Sequence, residues 1–198
     1  MDGGGVRVFV ALTLSTLPLM AAPSVVLAQD EDMPPEGQAA ISCYEAKDWN
    51  CAFDNGVALM KTEGYIAGCV ADTQHGCGYQ IYFLYVTGVG ASATANNTRR
   101  REIAERGLEL VRPMNDGMVE TDGEILFSAL RYDACKSMGD RACMEDSASL
   151  LRLAHENPYY DEDDPGSFLD DAEEETGVRF PLDIHAIMAE VAGTEKLQ

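Results

Sequence analysis

CYEAKDWNC, residues 43–51, carries a cysteine at each end. The same frame returns as CVADTQHGC at 69–77 and CKSMGDRAC at 135–143, and these three words hold all six cysteines of the chain. Eight positions along one continuous helix span roughly 12 Å, and along a strand roughly 26 Å. A disulfide needs its Cα atoms within about 7 Å. If Cys43 pairs with Cys51, the chain must reverse between them, and the same holds for Cys69 with Cys77 and Cys135 with Cys143.

The flanking letters are consistent with reversal between helices. PPEGQAAIS precedes the first word and suits helix entry, and CAFDNGVALMKTEG follows it. There Ala52, Val57, Ala58 and Met60 form a candidate apolar face, which Gly56 weakens. The third word is clearer. EILFSALRYDACKSM repeats apolar residues at helical spacing: Ile125, Leu126, Ala129, Leu130 and Ala134. Gly139–Asp140 punctuates the chain, and RACMEDSASLLRLAHENP follows with Met144, Ala148, Leu151 and Ala154 on one side until Pro158 stops it. This reads as a stapled αα-hairpin. Each loop closure would contribute about 2.5 kcal/mol through the unfolded state. The middle word has less regular flanks and is read either as a hairpin of its own or as a staple on the connection between two hairpins.

The first 28 residues are expected to be a secretory signal. Arg7 supplies a thin positive start, VFVALTLSTLPLM (8–20) a short apolar run, and VLA (26–28) a cleavage site. Asp2 is atypical of such a segment, and an uncleaved anchor is the alternative. The run falls short of the roughly 20 apolar residues of a membrane span. Export to a periplasm or to the outside puts thiols in an oxidising compartment, where an even cysteine count reads as disulfides. The competing readings are a partial zinc set, with His75 beside Cys77, and a Cys–His nucleophile, which requires an unpaired thiol. Beyond the signal, 29–36 reads as a flexible linker, 37–158 as the hairpin domain, and 159–198 as an acidic loop with C-terminal capping helices. A formal charge of −20 argues against nucleic acid and anionic membrane surfaces as partners.

These hairpins resemble the tetratricopeptide repeat and its exported, cysteine-rich Sel-one-like relatives. In CYEAKDWNCAF, Tyr44, Asp48, Trp49 and Ala52 stand where that family places aromatic, acidic, aromatic and small residues, and Gly139–Asp140 supplies its Gly-Asp turn. The resemblance implies an all-α fold of stacked, degenerate αα-hairpins, with disulfides joining cysteines separated by seven residues, and a surface that binds peptides or proteins. The interval from Cys43 to Cys135 is not a whole number of the usual repeats. A middle hairpin is expected over about 79–112, by comparison with an ordinary repeat.

Several further features carry a functional and a plainer reading. Arg99, Arg100 and Arg101 form the one basic cluster, at the start of a predicted helix ending at Pro113. They would bind an acidic partner, or pair with the chain's own carboxylates, for which DEDD (161–164) is a candidate. Tyr79, Tyr82 and Tyr85 recur at three-residue spacing, as an exposed aromatic stripe or as part of the core. With Arg131 they are the candidate contact residues on the first helices of the hairpins. YYDEDDPGSFLDDAEEE (159–175) fails as an EF-hand, because Pro165 and Ala172 fall at ligand positions. A looser calcium site or a solvated loop remains for it. Ser167 and Asp170 suggest a helix N-cap and its box partner. Near the C-terminus, Ile184, Ile187, Met188 and Val191 line one face of a helix that Pro181 opens and Gly193 closes. Asn96-Asn97-Thr98 fits a glycosylation sequon, relevant only in a eukaryotic secretory pathway. No metal, cofactor or catalytic constellation is expected. The expected function is that of an exported, non-catalytic scaffold or adaptor for a protein or peptide partner, and the alternative is a carboxylate-based hydrolase on a helical scaffold.

Overall fold

The computed structural model describes residues 33–72, 76–114, 118–157, 167–180 and 182–193. Among the described residues there is no strand, and the helices run α1 (Pro35–Glu45), α2 (Trp49–Met60), α3 (Tyr65–Ala71), α4 (Gly78–Ala93), α5 (Asn97–Val111), α6 (Met118–Met138), α7 (Arg141–His155), α8 (Ser167–Thr176) and α9 (Ile184–Gly193). Cys43–Cys51, Cys69–Cys77 and Cys135–Cys143 are disulfides with Cα separations of 5.6, 5.0 and 5.8 Å. All six sulfurs are thereby paired, and a disulfide sulfur offers neither a zinc ligand nor a nucleophile. His75 lies outside the described residues.

The first and third words fold into the same device. Four positions after the leading cysteine stands a residue with left-handed backbone, Lys47 (φ 56°) in one and Gly139 (φ 71°) in the other. The next residue is an aspartate whose N–H donates back to that cysteine's carbonyl at 2.9 Å, Asp48 to Cys43 and Asp140 to Cys135. Its carboxylate accepts from the N–H of the second cysteine at 3.1 Å, capping α2 and α7 in the ordinary way. Turn, cap and disulfide are thus set by one short string of letters. The middle word has no aspartate at that position, and its second cysteine stands at the mouth of α4 rather than inside it. It joins the seven-residue α3 to the sixteen-residue α4, so the staple sits at the connection between the α1–α2 pair and the α4–α5 pair.

The pairs stack where glycines let aromatic rings in. Phe127 of α6 is fully buried against Gly107 of α5 and Gly88 of α4, where an added methyl carbon would stand 2.6 and 2.9 Å from its ring. Trp49 of α2 lies on Gly90 of α4, and Phe83 of α4 lies on Gly56 of α2. Gly56, a weak helix former, is therefore also a packing position. Ala58 is exposed. The buried face of α2 is Trp49, Ala52, Phe53, Gly56, Val57 and Met60.

Because α4 packs against α2, α5, α6 and α8, its residues from Leu84 to Ser92 are buried on every side, as an all-round apolar helix must be. The C-terminal helices close the stack. Phe168, Leu169 and Ala172 bury α8 against α4, and Ile184, Ile187, Met188 and Val191 bury α9 against α6 and α7. Asp183 caps α9 by accepting from the Ala186 N–H at 2.8 Å.

The two equivalent turns differ in one respect that mutation can exchange. A side chain in left-handed backbone costs about 1 kcal/mol relative to glycine. Lys47→Gly should therefore raise stability, and Gly139→Ala should lower it, each by about 1 kcal/mol in denaturant unfolding. Shifts of the opposite sign would show that the two turns are not the same structure.

Candidate functional site

The tyrosines Tyr79, Tyr82 and Tyr85 share one face of α4 and grade from surface to core. Tyr79 is 71% exposed and Tyr85 only 6%. Tyr85 lies 6.0 Å from the Phe168 ring of α8 and 4.8 Å from that of Tyr82. The end of the stripe on which a partner was expected is thus covered by the chain's own α8. Burial, then the carboxylates of Glu175, Asp171 and Glu174, raise the Tyr82 phenol above its ordinary value. Tyr44 is raised by burial and by its 2.8 Å hydrogen bond to Glu175.

Beside the exposed Tyr79 lies an apolar groove of about 120 Å³ between α1, α2 and α4. Its lining combines the small residues Gly37, Ala40 and Gly56 with Leu59, Met60 and Phe83, and Tyr79 and Gln80 lie along it. The Phe83 ring is held by stacking on Tyr44, 5.6 Å between centroids, and Tyr44 in turn meets Trp49 edge-on at 5.4 Å. The wall that faces the groove is therefore fixed by the core. Gln80 Oε1 is buried with no hydrogen-bond donor among the described residues. Of this lining the sequence singled out Tyr79 as a contact residue, but not Gly37, Ala40, Leu59, Gln80 or Phe83. The available signal was the small residues Gly37 and Ala40 on α1 and Gly56 on α2.

The arginines are held by the chain's own acids. Arg99 forks onto Asp54 at 2.9 Å and reaches Glu102 at 2.7 Å. Arg106 pairs with the same Asp54. Arg101 binds Glu105 and Asp140 at 2.9 and 3.0 Å. Arg100 donates to the Ser92 carbonyl at 3.1 Å and lies over the Phe180 ring at 5.1 Å. Arg131, its side chain 14% exposed, pairs with Asp146 and with Glu105 at 3.4 Å. The DEDD segment lies outside the described residues, as does the first half of the calcium frame. A general acid needs a carboxyl pushed upward. Burial tends to raise Asp54, but the hydrogen bonds from Arg99 and Arg106 outweigh it and hold it below its ordinary 3.8. Glu190 is held down by its hydrogen bond from Lys136. Among the described residues no three of His, Cys, Asp and Glu converge as a metal site, and no helix is long and apolar enough to cross a membrane.

Fold and groove together define a class, a small all-helical domain stapled by three disulfides and consistent with a non-catalytic scaffold. Comparison with protein-family models, with curated protein sequences and with solved structures finds no match to this chain.

The paired Asp54 makes part of the stability pH-dependent. Its folded pKa is lowered, so its contribution is present above the unfolded value of about 3.8 and is lost as pH falls through the folded value. Asp54→Asn should start less stable at neutral pH and lose less on acidification to about pH 3 than the wild type. Equal losses in thermal unfolding would show that the Arg99–Asp54–Arg106 cluster contributes nothing to folding.

Proposed function

We propose that the protein is an exported helical-repeat scaffold or adaptor, tetratricopeptide-like in its stacking, that binds a protein or peptide partner without catalysis. The observation that carries this reading is the groove between α1, α2 and α4. It is apolar, open, walled by core-anchored rings and edged by an exposed tyrosine. Such a recess suits a side chain from a partner, since binding sites concentrate their free energy in aromatic anchors and the pockets they meet. The order of contacts supports the repeat reading: α2 packs on α4, α5 on α6, and α4 on α6, which is how successive hairpins stack in a solenoid. Asp54 and Glu190, held low by arginine and lysine, favour this over hydrolysis. Export is supported by the apolar run at 8–20 and by the three disulfides.

The chain from Gln29, oxidised and coupled to a resin, should retain from the extracellular or periplasmic fraction of its source a partner that the reduced, alkylated chain does not retain. The purified partner should then bind in simple stoichiometry by calorimetry, unchanged chemically. Retention of nothing, or turnover of what is retained, would contradict the reading.

A further inference from the structure

We propose that the Cys69–Cys77 disulfide is a redox-sensitive latch: a dithiol reduces it before the other two, and its opening releases α3 from the body of the fold. The three staples share one spacing but not one setting, and the setting decides what each loses on reduction.

α3 is held by little else. Its seven residues, YIAGCVA, bring no charge and so no ion pair. A helix of that length is marginal in water, and it opens on Gly64, which has left-handed backbone and no side chain to cap with. Cys69 is its one buried residue. Val70 is 48% exposed, and Tyr65 and Ile66 meet the core only partly buried. The packing of α3 on other helices is a narrow contact with α2. Cys77, by contrast, is 1% exposed at the mouth of α4, the helix that α2, α5, α6 and α8 surround. The disulfide ties a lightly held helix to a fixed post.

In the other two words the cysteines stay close when the bond is gone. α1 packs along α2 and α6 along α7, and the turns keep Asp48 and Asp140 bonded to the first cysteine's carbonyl and to the second cysteine's N–H. Thiols held in that way re-form their bond readily, because closure follows the effective concentration of one sulfur at the other. Cys69 loses this proximity as α3 leaves, so its disulfide is the easiest of the three to reduce at equilibrium. In the exchange the Cys69–Cys77 S–S bond breaks, the two sulfurs of the dithiol join, and its two protons pass to the sulfurs of Cys69 and Cys77. What the departure of α3 uncovers is apolar. Ile66 and Ala67 line one recess with the buried Met60 and Leu110, and Tyr65 lines the α1/α2/α4 groove, where Met60 appears again. Reduction therefore opens the core at Met60 from both sides.

The test equilibrates the oxidised protein over a series of reduced-to-oxidised dithiothreitol ratios, traps thiols with an alkylating reagent and maps them by mass spectrometry. Cys69 and Cys77 should become alkylated at a ratio about tenfold below that needed for the other four cysteines. Cys69→Ser with Cys77→Ser reproduces the open latch without reductant. By hydrogen exchange the amides of 68–71 should lose their protection in that variant, while those of α1, α2 and α4 to α7 keep it. Cys43→Ser with Cys51→Ser should leave α1 and α2 protected. Reduction of all three disulfides together, or of the middle one last, would overturn the proposal. So would continued protection of 68–71 in the Cys69→Ser, Cys77→Ser chain, loss of protection throughout it, or loss of α1 and α2 in the Cys43→Ser, Cys51→Ser chain.

Discussion

Two cysteines eight positions apart can join only if the chain doubles back between them, and this protein imposes that condition three times. In the first and third words the condition is met by one local structure, in which a left-handed residue, a capping aspartate and the disulfide occupy the same offsets. Short helices of this length are marginal on their own. With their ends tied, α1–α2 and α6–α7 meet the rest of the chain already folded back, and what remains is how the pairs lie against one another.

That choice is made by small residues rather than by large ones. α4 carries Gly88 and Gly90 toward Phe127 and Trp49, and α5 brings Gly107 to the same Phe127 ring. These contacts gather α2, α5 and α6 around the second half of α4 and leave its first turns at the edge. The functional consequence follows from that asymmetry. One end of α4 is sealed by α8 through Phe168 and Tyr85, and the other presents Tyr79 beside an open apolar recess. The exposed Tyr79 and the apolar recess thus lie together at the α1/α2/α4 end of the stack.

Much of the fold was legible because its signals are local. Cysteine spacing, the Gly139–Asp140 punctuation and the apolar period of α6 and α7 each act within a few residues, and the structure has disulfides, turn and helices at those places. The face of α9 was legible for the same reason. What could not be read depended on distant partners. Gly56 looks like a helix defect until Phe83 is placed against it, and Tyr85 could be surface or core until α8 arrives some eighty residues later. The arginine run at 99–101 was legible as a set of ion pairs but not as to partners, since Asp54 and Asp140 reach it only through tertiary packing.

The account stands on the three local staples, and non-reducing peptide mapping of the protein, with unpaired thiols alkylated before digestion, addresses them directly. It predicts Cys43–Cys51, Cys69–Cys77 and Cys135–Cys143 as the linked peptides, with no alkylated cysteine. Linkage between words, or alkylated Cys69 and Cys77, would contradict it: the first would undo the hairpin stack, and the second would make the middle word a reactive or metal-binding site with His75 at its centre.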